Sequence, residues 1–347
     1  MREHFIKTPG PNWRHFPTHQ FLGYRSMLHR NRNSNRHNDH QKGKSELRGK
    51  NAPAYLAPDT LLGKNEQFQV EKMIAGGGFG QIYKARNLEN GEEVAVKVER
   101  GTTNDSQRMI LESKVLDEML GTKHFPTVFY IGPYRSFNYI VMEMLGRNLG
   151  DIRKLLPAKR LTIPSAVRIG IQIVEALSQL HGKGWLHRDL KPTNVCMGLE
   201  ERRKQVYLVD FGMSRRFRHD DGSLRESRHY CGFRGTTRYC SYRMHDRREQ
   251  GPVDDLWCLY YSLGELIEGV LPWSDLESAD EMGYAKKTVK HDFIFPSMPS
   301  KFASFDRSLR RLRQHSTPDY VKLQTILASC VKFVDDNAEF EWDVMGI

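Results

Sequence analysis

The run His187-Arg188-Asp189-Leu190-Lys191-Pro192-Thr193-Asn194, followed by Asp210-Phe211-Gly212, constrains this chain more than any other segment. It sets a carboxylate, a lysine and an amide at the spacing Asp-x-Lys-x-x-Asn, then a second carboxylate ahead of a glycine turn. Moving a phosphoryl group requires a base or orienter for the attacking hydroxyl, a cation on the moving phosphate and oxygen ligands for Mg²⁺. Asp189, Lys191, Asn194 and Asp210 supply these in that order, with Asn194 and Asp210 as the metal ligands. The competing reading is a polar loop between core strands, and so many spaced polar identities argue against it.

Chemistry of that kind needs a nucleotide cradle upstream. Ala75-Gly76-Gly77-Gly78-Phe79-Gly80-Gln81-Ile82 lies between two alternating apolar runs, Phe68 to Ile74 and Ile82 to Ala85. Glycines at a hairpin tip let backbone N–H groups approach phosphate oxygens. Ile74, Gly76, Gly77, Gly78, Phe79, Gly80 and Ile82 are therefore the expected nucleotide-binding loop, although a flexible turn reads the same way. The strand Val94-Ala95-Val96-Lys97 ends in a lysine that needs an anion. Glu112, in a helical pattern with Met109, Ile110, Val115, Leu116 and Met119, is its expected partner, aiming the ammonium at the α- and β-phosphates.

From Phe68 to Trp273 the chain resembles a eukaryotic protein kinase. It is more narrowly similar to the casein kinase 1 family and, within it, to the tau-tubulin kinase branch. The residues that carry this are Gly77 to Tyr83, Glu112-Ser113-Lys114, Val141 to Gly146, Gly235-Thr236-Thr237-Arg238-Tyr239-Cys240-Ser241, Asp254 to Trp257 and Leu271-Pro272-Trp273. Cys240-Ser241-Tyr242 stands where most kinases carry Ala-Pro-Glu, as the Ala-Ser-Ile or Ala-Ser-Val of that family does. Two departures stand out. Ala75 replaces the first glycine of Gly-x-Gly-x-x-Gly, and the stretch after Trp273 is acidic, with Glu277, Asp280 and Glu281.

The resemblance implies a use of ATP and Mg²⁺. It makes Met142 the gatekeeper behind adenine, with Glu143 and Leu145 offering backbone hydrogen bonds to the base. Asp189 becomes the proton acceptor and Asp255 a brace for the catalytic loop from a buried helix. Arg238 becomes one arginine of a pocket for phosphorylated or acidic substrates, and Thr236 an orienter of Asp189. Lys191, two residues after the base, implies serine or threonine targets.

The net charge of +11 is unevenly spread. Residues 1–50 hold eleven Lys/Arg against three Asp/Glu and lack any periodicity. This reads as a disordered basic tail over 1–60, either a solvated leader or an arm for an acidic partner. Between Arg215 and Arg248 there are ten arginines and four acids. If this is the substrate loop, guanidinium groups should favour acidic or pre-phosphorylated protein substrates.

An α+β, two-lobed protein kinase fold is expected over 61–347. A small β-rich N-lobe (61–145) carries one helix from Arg108 to Leu120, and a larger helical C-lobe (146–347) follows. Val167, Ile171, Val174 and Leu177, then Leu256, Leu259, Leu263 and Leu266, fall at helical spacing, and Tyr320 to Val331 reads as a last core helix. No apolar run approaches a membrane span, and no secretory signal is expected. Five cysteines without Cys-x-x-Cys spacing suit a reducing interior, cytoplasmic or nuclear, and a monomer. The rival readings are a pseudokinase scaffold and a basic arm acting as an independent binding module.

Overall fold

The computed structural model describes residues 55–76, 80–100, 103–135 and 137–347. The basic segment up to residue 54 lies outside the described residues, as do Gly77, Gly78 and Phe79 of the glycine-rich loop.

Strands β1 (Leu61–Leu62), β2 (Phe68–Gly76), β3 (Gln81–Asn87), β4 (Glu93–Arg100), β5 (Val128–Tyr134) and β6 (Phe137–Glu143) form one antiparallel sheet in the order β1-β2-β3-β4-β6-β5. Side chains alternate across a strand, so each one has two faces with separate jobs. Val94, Val96 and Val98 of β4 pack with Tyr83, Ala85, Tyr139 and Val141 in one core. Ala95, Ile140 and Met142 face the other way, and Met109 of helix α1 (Thr103–Glu118) packs on them. That alternation also sends Lys97 and Glu99 towards α1. The helix begins at Thr103 rather than the expected Arg108 and ends two residues short of Leu120. Its Val115 and Leu116, with Met119 just beyond its end, reach the C-lobe core, so α1 ties the two lobes together.

The chain crosses into the C-lobe with Gly146 N–H donating to Met197 O at 2.8 Å. Helix α2 (Leu149–Leu155) follows, then α3 (Ile163–Gly182), which Thr162 caps by accepting from the Ser165 N–H. Short strands β7 (Trp185–Leu186), β8 (Val195–Met197), β9 (Val206–Leu208) and β10 (Arg215–Arg216) bracket the polar loops, in the pairs β7–β10 and β8–β9. Next come α4 (Tyr242–His245), α5 (Pro252–Glu268) and α6 (Ala279–Thr288). They are followed by α7 (His291–Ile294), α8 (Ala303–Arg311), α9 (Tyr320–Ala328) and α10 (Glu341–Val344). The two predicted leucine and valine stripes belong to one core, packed between α3 and α5. Helix α9 packs on α3 and stops at Ala328 instead of Val331, because the Cys330 N–H turns back to Leu327 O. The β-rich lobe and the helical lobe are thus as the sequence predicts.

Candidate active site

Lys97 is the hub of the upper half of the cleft. Its Nζ lies 2.5 Å from Glu112 Oε2, 3.2 Å from Asp210 Oδ1 and 3.4 Å from Glu99 Oε1. Helical spacing places Glu112 on the same buried face of α1 as Met109 and Leu116. Burial alone would lower the ammonium, but Asp210, Glu112 and Glu99 outweigh it and hold Lys97 protonated above the usual lysine range. Lys97 in return pulls the Asp210 carboxyl below the usual range, against its burial. Glu99 goes the other way: burial pushes it up to about 7, and its Oε2 has no hydrogen-bond partner.

The lower half is built around Asp189. Its Oδ1 accepts from both the Thr236 N–H and the Thr236 hydroxyl, each at 2.8 Å. Its Oδ2 accepts from Lys191 Nζ at 2.6 Å and from Asn194 Nδ2 at 3.4 Å. Asn194 Nδ2 also donates to Asp189 O at 2.9 Å, which leaves the amide oxygen as the ligand-type atom. Lys191 Nζ reaches Thr236 Oγ1 at 3.1 Å, closing a ring of three polar side chains with Asp189. Gly235 makes this possible: at φ +93 it brings the backbone so close that a Cβ would stand 2.6 Å from Arg188 O.

Asp255 holds the loop from below. It is 1% exposed on α5, and its two oxygens accept from the His187 and Arg188 backbone N–H groups, each at 2.8 Å. His181 Nε2 adds a third contact at 3.0 Å. Burial would raise this carboxyl, but these partners hold it below the usual range. Two non-glycine residues of the site, Arg188 at φ +67 and Asp210 at φ +66, sit in the left-handed region. Such strain persists only where surrounding contacts over-determine it. Asp255 supplies one such contact at Arg188, and the Lys97 ion pair supplies another at Asp210.

The sequence matches the protein kinase domain over residues 68–330. The chain belongs to the protein kinase family. It is 35% identical over 281 residues to a probable serine/threonine-protein kinase of Dictyostelium discoideum, covering 80% of this chain and 57% of that protein. It is 36% identical over 262 residues to a Caenorhabditis elegans protein provisionally named casein kinase I, covering 74% of this chain and 76% of the relative. A provisionally named serine/threonine-protein kinase of the same worm is 35% identical over 288 residues, covering 81% of each.

In this kinase domain Ile82, Ala95 and Met142 pack together with Met109 and Ile140. Glu143 donates its N–H to Thr127 O at 2.9 Å. Its carboxylate pairs with Arg202 at 2.9 Å. Leu145 follows in the extended crossing to Gly146. Ile74 is exposed on β2 at an irregularity between Met73 and Ala75, and Gly76 pairs with Gln81 at the loop's base.

The arginine-rich segment differs from its sequence reading. Arg215, Arg216, Arg228, Arg238, Arg243 and Arg248 each have a carboxylate within 4.0 Å. Most of those acids (Glu118, Glu249, Asp254 and Glu265) lie outside the 215–248 window. Glu249 takes Arg228 through two bonds, at 2.6 and 2.9 Å, and sits 3.5 Å from Arg215, which drives its carboxyl down to about 2 against its own burial. Arg238 is held 3.2 Å from Glu265. The free positive charge around the substrate loop is therefore smaller than the local count of arginines suggests. No local signal pairs Glu249 or Glu265 with these arginines: Glu249 lies in the loop ahead of α5 and Glu265 on α5, and tertiary packing brings them to their partners.

Proposed function

We propose that the chain is a serine/threonine protein kinase that transfers the γ-phosphoryl group of ATP, with Mg²⁺, to hydroxyls of protein substrates. The observation that carries this is the Asp189 carboxylate held between Thr236 and Lys191, with Lys97 engaged by Glu112 and Asp210 in the same cleft. Asp189 Oδ2 accepts the proton of the attacking hydroxyl, and Lys191 offers positive charge beside it. Asp210 and the Asn194 amide oxygen suit a hard cation such as Mg²⁺, which when bound neutralises charge on the β- and γ-phosphates. Lys97, fixed by Glu112, contacts the α- and β-phosphates. Ile82, Ala95 and Met142 cover the adenine, with the Glu143 carbonyl and the Leu145 backbone as its polar contacts. Ile74, Gly76, Gly80 and Ile82, at the two ends of the glycine-rich segment, take the phosphate side of the nucleotide.

Within the family, the casein kinase 1 group and its tau-tubulin kinase-like branch are our reading. Gly235 to Ser241 and Cys240-Ser241-Tyr242 in place of Ala-Pro-Glu support it, as does the worm relative named casein kinase I. Acidic or pre-phosphorylated target sequences fit the arginines of the substrate segment, with Arg238 among those that read them. The basic segment ahead of the domain suits an acidic partner. The five cysteines are all unpaired, which suits a reducing intracellular setting, cytoplasmic or nuclear, and we take the protein to act as a monomer. Among the described residues no helix is long and apolar enough to cross a membrane.

Incubation with Mg·ATP and casein tests the proposal directly. Phosphoserine or phosphothreonine should form, and Asp189→Asn should reduce transfer by roughly 10²–10⁴-fold. Undiminished turnover by that variant refutes the assignment.

A further inference from the structure

Lys286, in the last turn of α6, is 1% exposed, yet no carboxylate pairs with it among the described residues. Lysine is rarely buried this deeply without a counter-charge, because taking an ammonium out of water is costly. Its Nζ instead donates to Thr237 O at 2.5 Å and to Cys240 O at 2.7 Å, and lies 3.3 Å from His245 Nε2. The rings of Tyr261 and Trp273 stand 5.3 and 5.4 Å from the ammonium, close enough for cation–π attraction. Gly283, one turn earlier on α6, lets the helix press against α4: a Cβ there would lie 2.7 Å from His245 Cβ.

The two carbonyls that Lys286 grips belong to a tight turn. Tyr239 and Cys240 N–H groups both donate to Thr236 O, at 3.0 and 2.9 Å. The carbonyl between the gripped pair, Arg238 O, accepts from Trp273 Nε1 at 2.8 Å. The turn's first residue is Thr236, whose N–H and hydroxyl hold Asp189 Oδ1. We propose that Lys286 is a positioning residue for phosphoryl transfer: its buried ammonium clamps the carbonyls of Thr237 and Cys240 and so holds Thr236 on the Asp189 carboxylate. This rests on Asp189 being the residue that orients the attacking hydroxyl.

The clamp depends on the lysine being charged. Burial lowers its pKa to about 8. The groups facing it are neutral near that pH. His245 is held down to about 4 by burial and by Lys286 itself, the Cys240 thiol is pushed up to about 11, and Cys258 and Tyr261 are raised well above their usual values by burial. The ammonium therefore loses its proton as pH rises through about 8, and its grip on the carbonyls weakens.

Steady-state transfer to a peptide substrate, with KM for ATP and KM for peptide measured separately, tests the clamp in Lys286→Met and Lys286→Arg. Lys286→Met should lose at least tenfold in kcat, keep its KM for ATP within twofold, and retain the thermal shift caused by Mg·ATP. Lys286→Arg, charged at every working pH, should keep a flat kcat from pH 7 to pH 9 where the wild type declines. Wild-type kcat in Lys286→Met overturns the inference, and so does a loss of kcat that comes only with lost nucleotide binding. Should Lys286→Met fail to fold, the wild-type profile decides alone: a fall in kcat above about pH 8 with an unchanged Mg·ATP thermal shift supports the clamp, and a flat profile overturns it. A wild-type protein that transfers nothing overturns the kinase reading itself, whereas active wild type beside equally active Lys286→Met overturns only the clamp.

Discussion

Glu265 holds Arg238: Oε1 of the buried glutamate lies 3.2 Å from Nη1 of the arginine, and the Tyr239 hydroxyl donates to Oε2. Arg153, 3.7 Å from the same Oε1, shares the carboxylate. The arginine expected to read substrate phosphate thus already has an internal anion, supplied from α5.

Replacing that anion should release the arginine. Glu265→Gln keeps the shape and the hydrogen-bonding capacity but removes the charge that competes with substrate. The ratio of kcat/KM for a phosphorylated peptide to that for its neutral counterpart should rise several-fold, in line with about 1 kcal/mol for a partly exposed ion pair. An unchanged ratio would mean that Arg238 does not read the substrate.

Lys97→Met removes the cation that pairs with all three of Glu99, Glu112 and Asp210. Glu99, Glu112 and Asp210 would then repel one another in a largely buried site, and one or more would take up protons. Transfer should fall by at least about 100-fold, with the thermal shift caused by Mg·ATP reduced or lost. Calorimetry with and without nucleotide separates this from simple unfolding.

Asp255→Asn leaves a neutral amide where a carboxylate accepts two backbone N–H groups and a histidine. One of its ends can no longer accept, so either the His187 or the Arg188 N–H is orphaned in the core. The expected loss is roughly 2–4 kcal/mol, read as a lower urea midpoint, together with reduced kcat because the strained Arg188 backbone is released. Wild-type stability in this variant would show that the brace is dispensable.

Glu99 gives the fold a pH signature. Its folded-state pKa of about 7 lies above the ordinary carboxylate value of 4.5, so the fold favours its protonated form. That contribution is fully present below pH 4.5 and is lost as pH rises to about 7. Unfolding free energies from urea titration of the wild type should therefore decline across this window relative to Glu99→Gln, by at most about 3 kcal/mol at pH 7. Parallel curves for the two proteins would place the glutamate in a wetter setting than its 4% exposure indicates.

Much of the site was legible because local chain geometry fixes it. The Asp189-x-Lys191-x-x-Asn194 spacing spans one loop, so these three groups must lie close together whatever surrounds them. Alternation along β4 and the helical stripe of α1 were enough to bring Lys97 to Glu112 over fifteen residues. Two apolar stripes at helical period likewise gave α3 and α5, since a helix buries one face wherever it docks. What the sequence could not specify is which distant charge meets which. Arg228 with Glu249, Arg238 with Glu265 and Lys286 with the Thr237 and Cys240 carbonyls join residues 21 to 49 positions apart. Those partners depend on how α5, the loop ahead of it and α6 pack against the arginine-rich segment. Spacing reports the neighbours along a strand or a helix turn. Burial and packing, which only the folded chain possesses, decided which of its charges are free to act.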